Sequence, residues 1–157
     1  ELGMKEKVAM KVLHKLLRPA MALCLAAAQY LSNILGNRNS VFSSNPYLVW
    51  FGVILIVAGV LLLWRASVHC QRSVSAEKLA KSGPYKYIRH PIYVSMYLLC
   101  IGLGFVFFTW LHFLVLALFI PLWWIESKSE ENEMRWEYGE EYITYQERTC
   151  MIIPGIL

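Results

Sequence analysis

Ser82 to Tyr93 has the sequence Ser-Gly-Pro-Tyr-Lys-Tyr-Ile-Arg-His-Pro-Ile-Tyr, the one long polar segment that lies between apolar runs and looks structured. Gly83-Pro84 ends any helix that enters this segment, and Pro91 biases His90 away from the α-helical region. Pro91 suits the first turn of the next helix because its missing N–H costs nothing there. The pattern therefore places Arg89 and His90 at the mouth of a membrane helix, where they either meet lipid headgroups or line a site.

Composition identifies the class of protein. The 157 residues are 57% hydrophobic and 17% charged, with a mean hydropathy of +0.44. A soluble domain carries about 25% charged residues, so we expect an integral membrane protein with a single domain over residues 1–157. The four Cys have no metal-binding spacing and predict neither a metal site nor a disulfide framework.

The apolar runs predict an all-α fold with about four transmembrane helices. These spans are expected at about residues 19–35, 47–64, 92–108 and 110–125. The last two come from one run, 93–125, which contains no Asp, Glu, Lys or Arg. A single helix of that length would be about 50 Å long against a hydrocarbon core of about 30 Å, so we expect a hairpin. Residues 5–18 predict a basic amphipathic helix on the membrane surface, and we expect the first span to be a retained signal anchor.

The charge distribution predicts the orientation. Of the fifteen Lys and Arg residues, fourteen lie outside the loop that contains Arg38, and eight of the eleven Glu residues lie between Glu126 and Glu147. The positive-inside rule then places both termini in the cytosol. A helical hairpin returns the Glu-rich cytosolic helix to the face that holds Arg89 and His90, so opposite charges converge there. Met134, Tyr138, Tyr142 and Tyr145 continue one stripe along this segment, and its tyrosines are expected to serve packing and interface anchoring.

The combined motif resembles a known family. Gly-Pro-Tyr-x-Tyr-x-Arg-His-Pro-x-Tyr, a membrane hairpin, and then Glu-Glu and Tyr-Gly-Glu-Glu-Tyr-x-x-Tyr are similar to the integral-membrane methyltransferases of the isoprenylcysteine carboxyl methyltransferase and phospholipid methyltransferase superfamily. The resemblance covers about residues 45–157. It implies S-adenosylmethionine as the cofactor, bound at the cytosolic ends of the spans by residues 77–93 and 126–145. The cofactor contacts that it implies are Leu79, Ala80, Tyr85, His90, Pro91, Tyr93, Glu130 and Glu131.

The residue types suit this chemistry. The candidate catalytic residues are Arg89, His90 and Glu131. Arg89 and His90 suit the cofactor carboxylate through charge-assisted hydrogen bonds, and Glu130 or Glu131 suits its ammonium or ribose hydroxyls. Tyr85 or Tyr93 suits the adenine or the cationic sulfonium. A carboxylate acceptor needs mainly positioning, whereas an amine acceptor also needs a base, for which Glu131 and His90 are candidates.

Two departures from the family's sequence pattern leave the identity of the methyl acceptor open. Ser95 stands where the family usually has Gly, which is expected to narrow the site. Glu126 stands where the prenylcysteine enzymes have an Arg that is thought to meet the substrate carboxylate. The leading hypothesis is a methyltransferase for a lipophilic acceptor, similar to the isoprenylcysteine carboxyl methyltransferases, and the first alternative is a phospholipid amine N-methyltransferase. A sterol-reductase-like oxidoreductase and a non-catalytic membrane scaffold are the alternatives from other classes. Membrane lipids are expected partners and nucleic acid is not, because membrane orientation explains the basic residues.

Overall fold

The structure is a computed structural model and describes residues 19–21, 23–31, 34, 45–107 and 110–152. Within these ranges it is all-helical without a strand, as the sequence predicts. Its elements are α1 (Pro46–Ser75), a 3₁₀ turn (Gly83–Lys86), α2 (Pro91–Phe107), α3 (Trp110–Tyr138) and α4 (Glu140–Glu147). An apolar helical segment, Pro19–Leu31, precedes them. The predicted surface helix at 5–18 lies outside the described residues.

Helix α1 begins at a capped proline and continues beyond its predicted span. The Asn45 side chain accepts a hydrogen bond of 3.0 Å from the backbone N–H of Tyr47, and Pro46 occupies the first turn. The span was expected to end near residue 64, but the helix continues to Ser75. Hydropathy locates the edge of the lipid, whereas a helix ends where its backbone is capped, so the two boundaries differ.

Helix α2 begins at Pro91, as the sequence predicts, and packs closely on α1. Gly52 and Gly102 face each other: a Cβ on either would lie 2.8 Å from the backbone oxygen of the other. Glycine therefore allows the two backbones to approach, which is typical of membrane helices. A Cβ on Gly59 would meet the backbone oxygen of Ser95 at 3.1 Å, so the same contact continues toward the start of α2.

Helices α2 and α3 run antiparallel, as the predicted hairpin requires. The rings of Phe105 and Phe113 are 5.4 Å apart near one end, and those of Tyr97 and Trp123 are 4.6 Å apart toward the other. Helix α3 runs unbroken through Pro121, so the predicted span at 110–125 and the charged helix after it form one element. The hydrophobic core lies where this hairpin meets the N-terminal segment; its buried members are Met21, Tyr93, Cys100, Leu116, Phe119 and Trp123.

Two of the described helices, α1 and α3, are long and apolar enough to cross a membrane. Only 11% of the apolar window of α1 is buried, whereas the core helix of a soluble protein would be mostly buried. Trp50, Ile54 and Trp64 are each more than 60% exposed on α1, which suits contact with lipid. Helix α2, with 17 residues, is near the lower limit for a span. Four spans and cytosolic termini remain predictions.

Candidate active site

The loop that precedes α2 is anchored to the polar end of α1. Gly83 has φ +62°, and a Cβ there would lie 2.4 Å from the His69 ring, so only glycine fits. The His69 ring nitrogen Nδ1 and the Ser82 hydroxyl are 2.9 Å apart and share a hydrogen bond. These contacts hold the 3₁₀ turn beside α1 and place the residues on either side of it.

A cavity of about 270 Å³ lies between this loop, the end of α1 and the polar half of α3. Eight of the residues that the sequence singles out line it: Leu79, Ala80, Tyr85, Arg89, His90, Pro91, Tyr93 and Glu130. The structure thus brings together two segments that are about 40 residues apart in the sequence. Glu131 is not among the lining residues and lies behind the wall.

His90, Glu130 and Tyr93 form a hydrogen-bonded group in the cavity wall. Nδ1 of His90 lies 3.2 Å from Oε2 of Glu130, and the hydroxyl of Tyr93 donates to Oε1 of the same carboxylate at 2.9 Å. His90 is 8% exposed, and its ring stacks on Tyr93 at 5.5 Å. Burial lowers the pKa of His90, but its hydrogen bond to Glu130 and the charges of Glu130 and Glu131 outweigh it, so the net shift is upward.

Arg89 and Glu131 form a buried ion pair behind this group. Nε of Arg89 donates to Oε1 of Glu131 at 2.6 Å, and the two side chains are 10% and 3% exposed. Burial raises the pKa of Glu131, but its contacts with His90 and Arg89 lower it to about 2. Nε2 of His90 lies 3.7 Å from Glu131, which is an ionic contact rather than a hydrogen bond. Glu131 is therefore a fixed negative charge between two cations.

Helices α3 and α4 both supply lining residues for which the sequence predicted another role. Met134, Tyr138, Tyr142 and Tyr145 all line the cavity, although the stripe was expected to serve packing and anchoring. The hydroxyl of Tyr145 donates to the backbone oxygen of Tyr85 at 2.6 Å, and burial raises the pKa of Tyr145 to about 12. The spacing of the stripe was the signal that could have found these residues.

Five further lining residues were not singled out in the sequence, although two of them, Lys78 and Ile92, fall within the predicted cofactor segment 77–93. They come mainly from the end of α1 and the residues after it, and comprise Cys70, Ser73, Val74, Lys78 and Ile92. Ser95 does not line the cavity: it is buried, and its hydroxyl donates to the backbone oxygen of Ile92 at 2.6 Å. The expectation that Ser95 narrows the site is therefore wrong for this cavity.

The side chains that line the cavity are chemically mixed. Among the residues that the structure describes, no three His, Cys, Asp or Glu side chains are grouped so that they could hold a metal ion. The cavity instead combines aromatic rings, an imidazole, a carboxylate and basic side chains with apolar surface. This mixture is typical of a site for an organic ligand that carries both charges.

Fold and site together describe a helical protein, two of whose described helices could cross a membrane, with a cavity at the polar end of a helical hairpin. The profile of the family described as phospholipid methyltransferase matches residues 46–141, which is more than half of the chain. The chain belongs to this family of membrane methyltransferases. No curated protein and no solved structure was found to match it.

The lining residues fit the methyl donor that this family implies. The Glu130 carboxylate suits an ammonium or a ribose hydroxyl, and the rings of Tyr85 and Tyr93 suit an adenine or a sulfonium. Lys78 and Arg89 are the basic side chains on the wall. A cavity of about 270 Å³ is slightly below the usual range of roughly 300–1,000 Å³, which suits a ligand that remains partly outside the cavity.

Proposed function

We propose that this protein is an S-adenosylmethionine-dependent methyltransferase that acts on a lipophilic acceptor at the membrane surface. The observation that carries the proposal is the cavity itself. It joins His90, Tyr93 and Glu130 in one hydrogen-bonded wall at the end of apolar helices. Bound there, S-adenosylmethionine supplies a methyl group on a positively charged sulfur, which passes to a nucleophile while the sulfur keeps the bonding electron pair.

The wall residues act by positioning. His90 and Tyr93 each bond one oxygen of Glu130, so this carboxylate has a fixed orientation toward the cavity. The cavity lining is largely apolar, and a cation beside Glu130 is attracted more strongly there than it would be in bulk water. A carboxylate with a fixed orientation favours in-line methyl transfer because it needs little reorganisation during the reaction.

The pKa shifts argue against a general base in this wall. The pKa of Glu131 is held at about 2, so this carboxylate is a very weak proton acceptor at neutral pH. The raised pKa of His90 favours the imidazolium, which has no free site for another proton. An amine acceptor must therefore arrive unprotonated or lose its proton to solvent, and we assign Glu131 and His90 an orienting role in place of the proposed base.

A ligand-binding measurement tests this proposal. We expect S-adenosylmethionine and S-adenosylhomocysteine to bind the detergent-solubilised protein in a calorimeter. Glu130→Gln should weaken binding roughly 10- to 100-fold, as expected for a lost charge-assisted hydrogen bond. Glu137→Gln is the matched control, because Glu137 is exposed on the same helix. No binding by the folded wild-type protein would refute the methyltransferase, and binding of a nicotinamide dinucleotide instead would favour the oxidoreductase.

Among acceptors, we favour a lipid amine over a prenylcysteine carboxylate. The family description supports a phospholipid. Glu126, buried at 1% exposure one turn before Glu130, stands where the prenylcysteine enzymes carry an arginine. The protein can be incubated with radiolabelled methyl donor and extracted lipids, and the product then treated with base. An N-methyl product keeps its label in this treatment. A methyl ester would release it as methanol, and this outcome would reverse the assignment.

A further inference from the structure

Arg89 lines the candidate cavity, yet its bonds are made to protein groups. Besides the ion pair with Glu131, one terminal nitrogen donates to the backbone oxygens of Gln146, at 3.1 Å, and Thr149. Gln146 is in the last turn of α4, where helix carbonyls lose their intrahelical partners, and Thr149 lies two residues beyond the end of the helix. Arg89, from a distant part of the sequence, therefore caps the C-terminus of α4. A cation is favoured at the C-terminus of a helix.

The backbone beside Arg89 binds the same C-terminal segment. The N–H groups of Arg89 and His90 donate to the oxygens of Cys150 and Met151 at 2.8 and 3.1 Å. The N–H of Cys150 donates in turn to the oxygen of Tyr87 at 3.1 Å, which completes a short parallel bridge. Residues 142–151 lie beyond the family match, which ends at residue 141.

We infer that Arg89 is a positioning residue that fixes residues 146–151 against the His90 loop and thereby makes the C-terminal segment part of the site. It acts on ligand binding through the segment and through Glu131, without holding the cofactor carboxylate itself. That Arg89 fixes residues 146–151 does not depend on the proposed function. The effect of Arg89 on cofactor binding does rest on the proposed function.

This arrangement explains how the side chains of α4 are held in the lining of the cavity. Tyr142 and Tyr145 line the cavity from α4, and the Tyr145 hydroxyl bonds the backbone of Tyr85. Helix α4 has only eight residues and is marginal without tertiary support. If Arg89 no longer caps it, the two tyrosines lose their fixed positions, and Glu131 loses its guanidinium partner.

Hydrogen–deuterium exchange of the ligand-free protein tests the positioning role directly. In Arg89→Gln and Arg89→Lys we expect exchange in the peptides that cover 84–90 and 146–152 to rise about tenfold or more. Lysine keeps the charge but cannot reach a carboxylate and two carbonyls at once. Arg65→Gln removes an exposed arginine of α1 and should leave both peptides unchanged. Unchanged exchange in both Arg89 variants would overturn the inference.

A second variant leaves Arg89 intact. Cys150→Pro removes the N–H that donates to the backbone oxygen of Tyr87. We expect this variant to raise hydrogen exchange in the same two peptides. This variant keeps the test decisive if the Arg89 variants fail to fold. Protection of both peptides in Cys150→Pro would show that the bridge does not hold the segment.

Two ligands then separate positioning from direct contact. S-adenosylhomocysteine carries the amino-acid carboxylate, whereas 5′-methylthioadenosine lacks it. If Arg89 positions the wall, Arg89→Lys weakens both ligands by the same factor, about tenfold or more. A loss confined to S-adenosylhomocysteine would mean that Arg89 binds the carboxylate and would refute the inference. If the wild type binds neither ligand, the proposed function fails while the exchange experiment still decides the positioning role.

Discussion

Glu130 and Glu131 are adjacent in the sequence, but they have different environments. The side chain of Glu131 is 3% exposed and bonds Arg89, whereas that of Glu130 is 27% exposed and faces the cavity. We predict that Glu131→Gln lowers the free energy of unfolding by about 3 kcal/mol, because it leaves a buried guanidinium without its carboxylate. Glu130→Gln should lower it by less than Glu131→Gln does, because the amide oxygen can still accept the hydrogen bond from Tyr93, while it weakens ligand binding.

Denaturant unfolding in mixed micelles measures this difference. The same two variants also serve as controls for each other, since both replace one carboxylate by an amide on the same turn of α3. Equal destabilisation by the two substitutions would contradict the separate roles of Glu130 and Glu131.

His90 and Glu131 together predict a pH profile for stability. The pKa of His90 is raised from 6.5, so its ion pairs stabilise the fold at low pH and this contribution is lost as pH rises through the elevated pKa. The pKa of Glu131 is lowered from 4.5 to about 2, so its contribution is present above 4.5 and is lost as pH falls toward 2.

For this pair of groups, stability should therefore be greatest between about pH 4.5 and 6.5 and should decline as pH rises further. Melting temperatures from pH 4 to 9 would show the profile. His90→Gln has no imidazole to titrate, so it should lack the decline at high pH that the wild type shows. A wild-type profile as flat as that of His90→Gln would contradict the raised pKa.

The sequence predicted the residues whose side chains meet, but not those that use backbone groups. Opposite charge and the hairpin were enough to bring His90 near Glu130, and the structure places them 3.2 Å apart. The acceptors of Arg89 are carbonyls of Gln146 and Thr149, and a carbonyl has no signature in the sequence because every residue carries one. The role of Arg89 could not be read from residue types alone.

At the scale of elements, the loop before α2 depends on one glycine. Gly83 and Gly139 both have positive φ, +62° and +53°, so alanine is strained by about 1–2 kcal/mol at either position. A Cβ at Gly83 also meets the His69 ring at 2.4 Å, whereas nothing lies within 4 Å at Gly139. We predict that both Gly→Ala variants lose stability, and that only Gly83→Ala also loses ligand affinity, because it displaces the loop.

Thermal unfolding and calorimetric binding on the two variants check this prediction. Gly139→Ala is the control, since Gly139 also has a positive φ but a Cβ there would meet no neighbour. Wild-type affinity in Gly83→Ala would show that the His69 contact does not position the loop.

The contact between α1 and α2 gives a second matched pair. A Cβ at Gly102 would lie 2.8 Å from the backbone oxygen of Gly52, which cannot move without separating the helices. A Cβ at Gly104 would lie 2.8 Å from the far end of the Phe113 side chain, which can rotate away. We predict that Gly102→Ala costs on the order of 1–3 kcal/mol and Gly104→Ala clearly less.

Unfolding of the two variants in the same micelles measures the difference, and a larger loss in Gly104→Ala would contradict it. Both glycines stand in the apolar run 93–125, where small residues allow close helix packing. Which neighbour each one faces depends on the rotation of α2, and the hydrophobic pattern does not define that rotation in a helix that is apolar on all sides.

For the whole molecule, the sequence predicted helices and their order better than their ends. The predicted spans at 47–64 and 110–125 are the apolar parts of α1 and α3, which extend to Ser75 and Tyr138. Charged side chains stop a hydropathy run but not a helix, since Arg65 or Glu126 can continue α-helical backbone. Residues 108–109, between the third and fourth predicted spans, and the loop that contains Arg38 lie outside the described residues.

The orientation of the whole chain yields the last prediction. Arg89 pairs with Glu131, and His69 lies against Gly83, so the polar ends of α1 and α3 are on the same side of the bundle. Cys70 and Cys150 are both partly exposed at that end, whereas Cys100 is buried within α2. In a variant with Cys24 and Cys100 replaced by alanine, a membrane-impermeant maleimide should label both remaining thiols from the cytosolic side only.

Ligand protection gives this labelling experiment an internal control. Cys70 lines the cavity and Cys150 is not among its lining residues, so S-adenosylhomocysteine should slow the labelling of Cys70 and leave Cys150 unchanged. Labelling of both thiols from the outer side would reverse the orientation while keeping the fold. Labelling of the two thiols from opposite sides would contradict the hairpin, because Arg89 and Glu131 would then lie on different faces of the membrane.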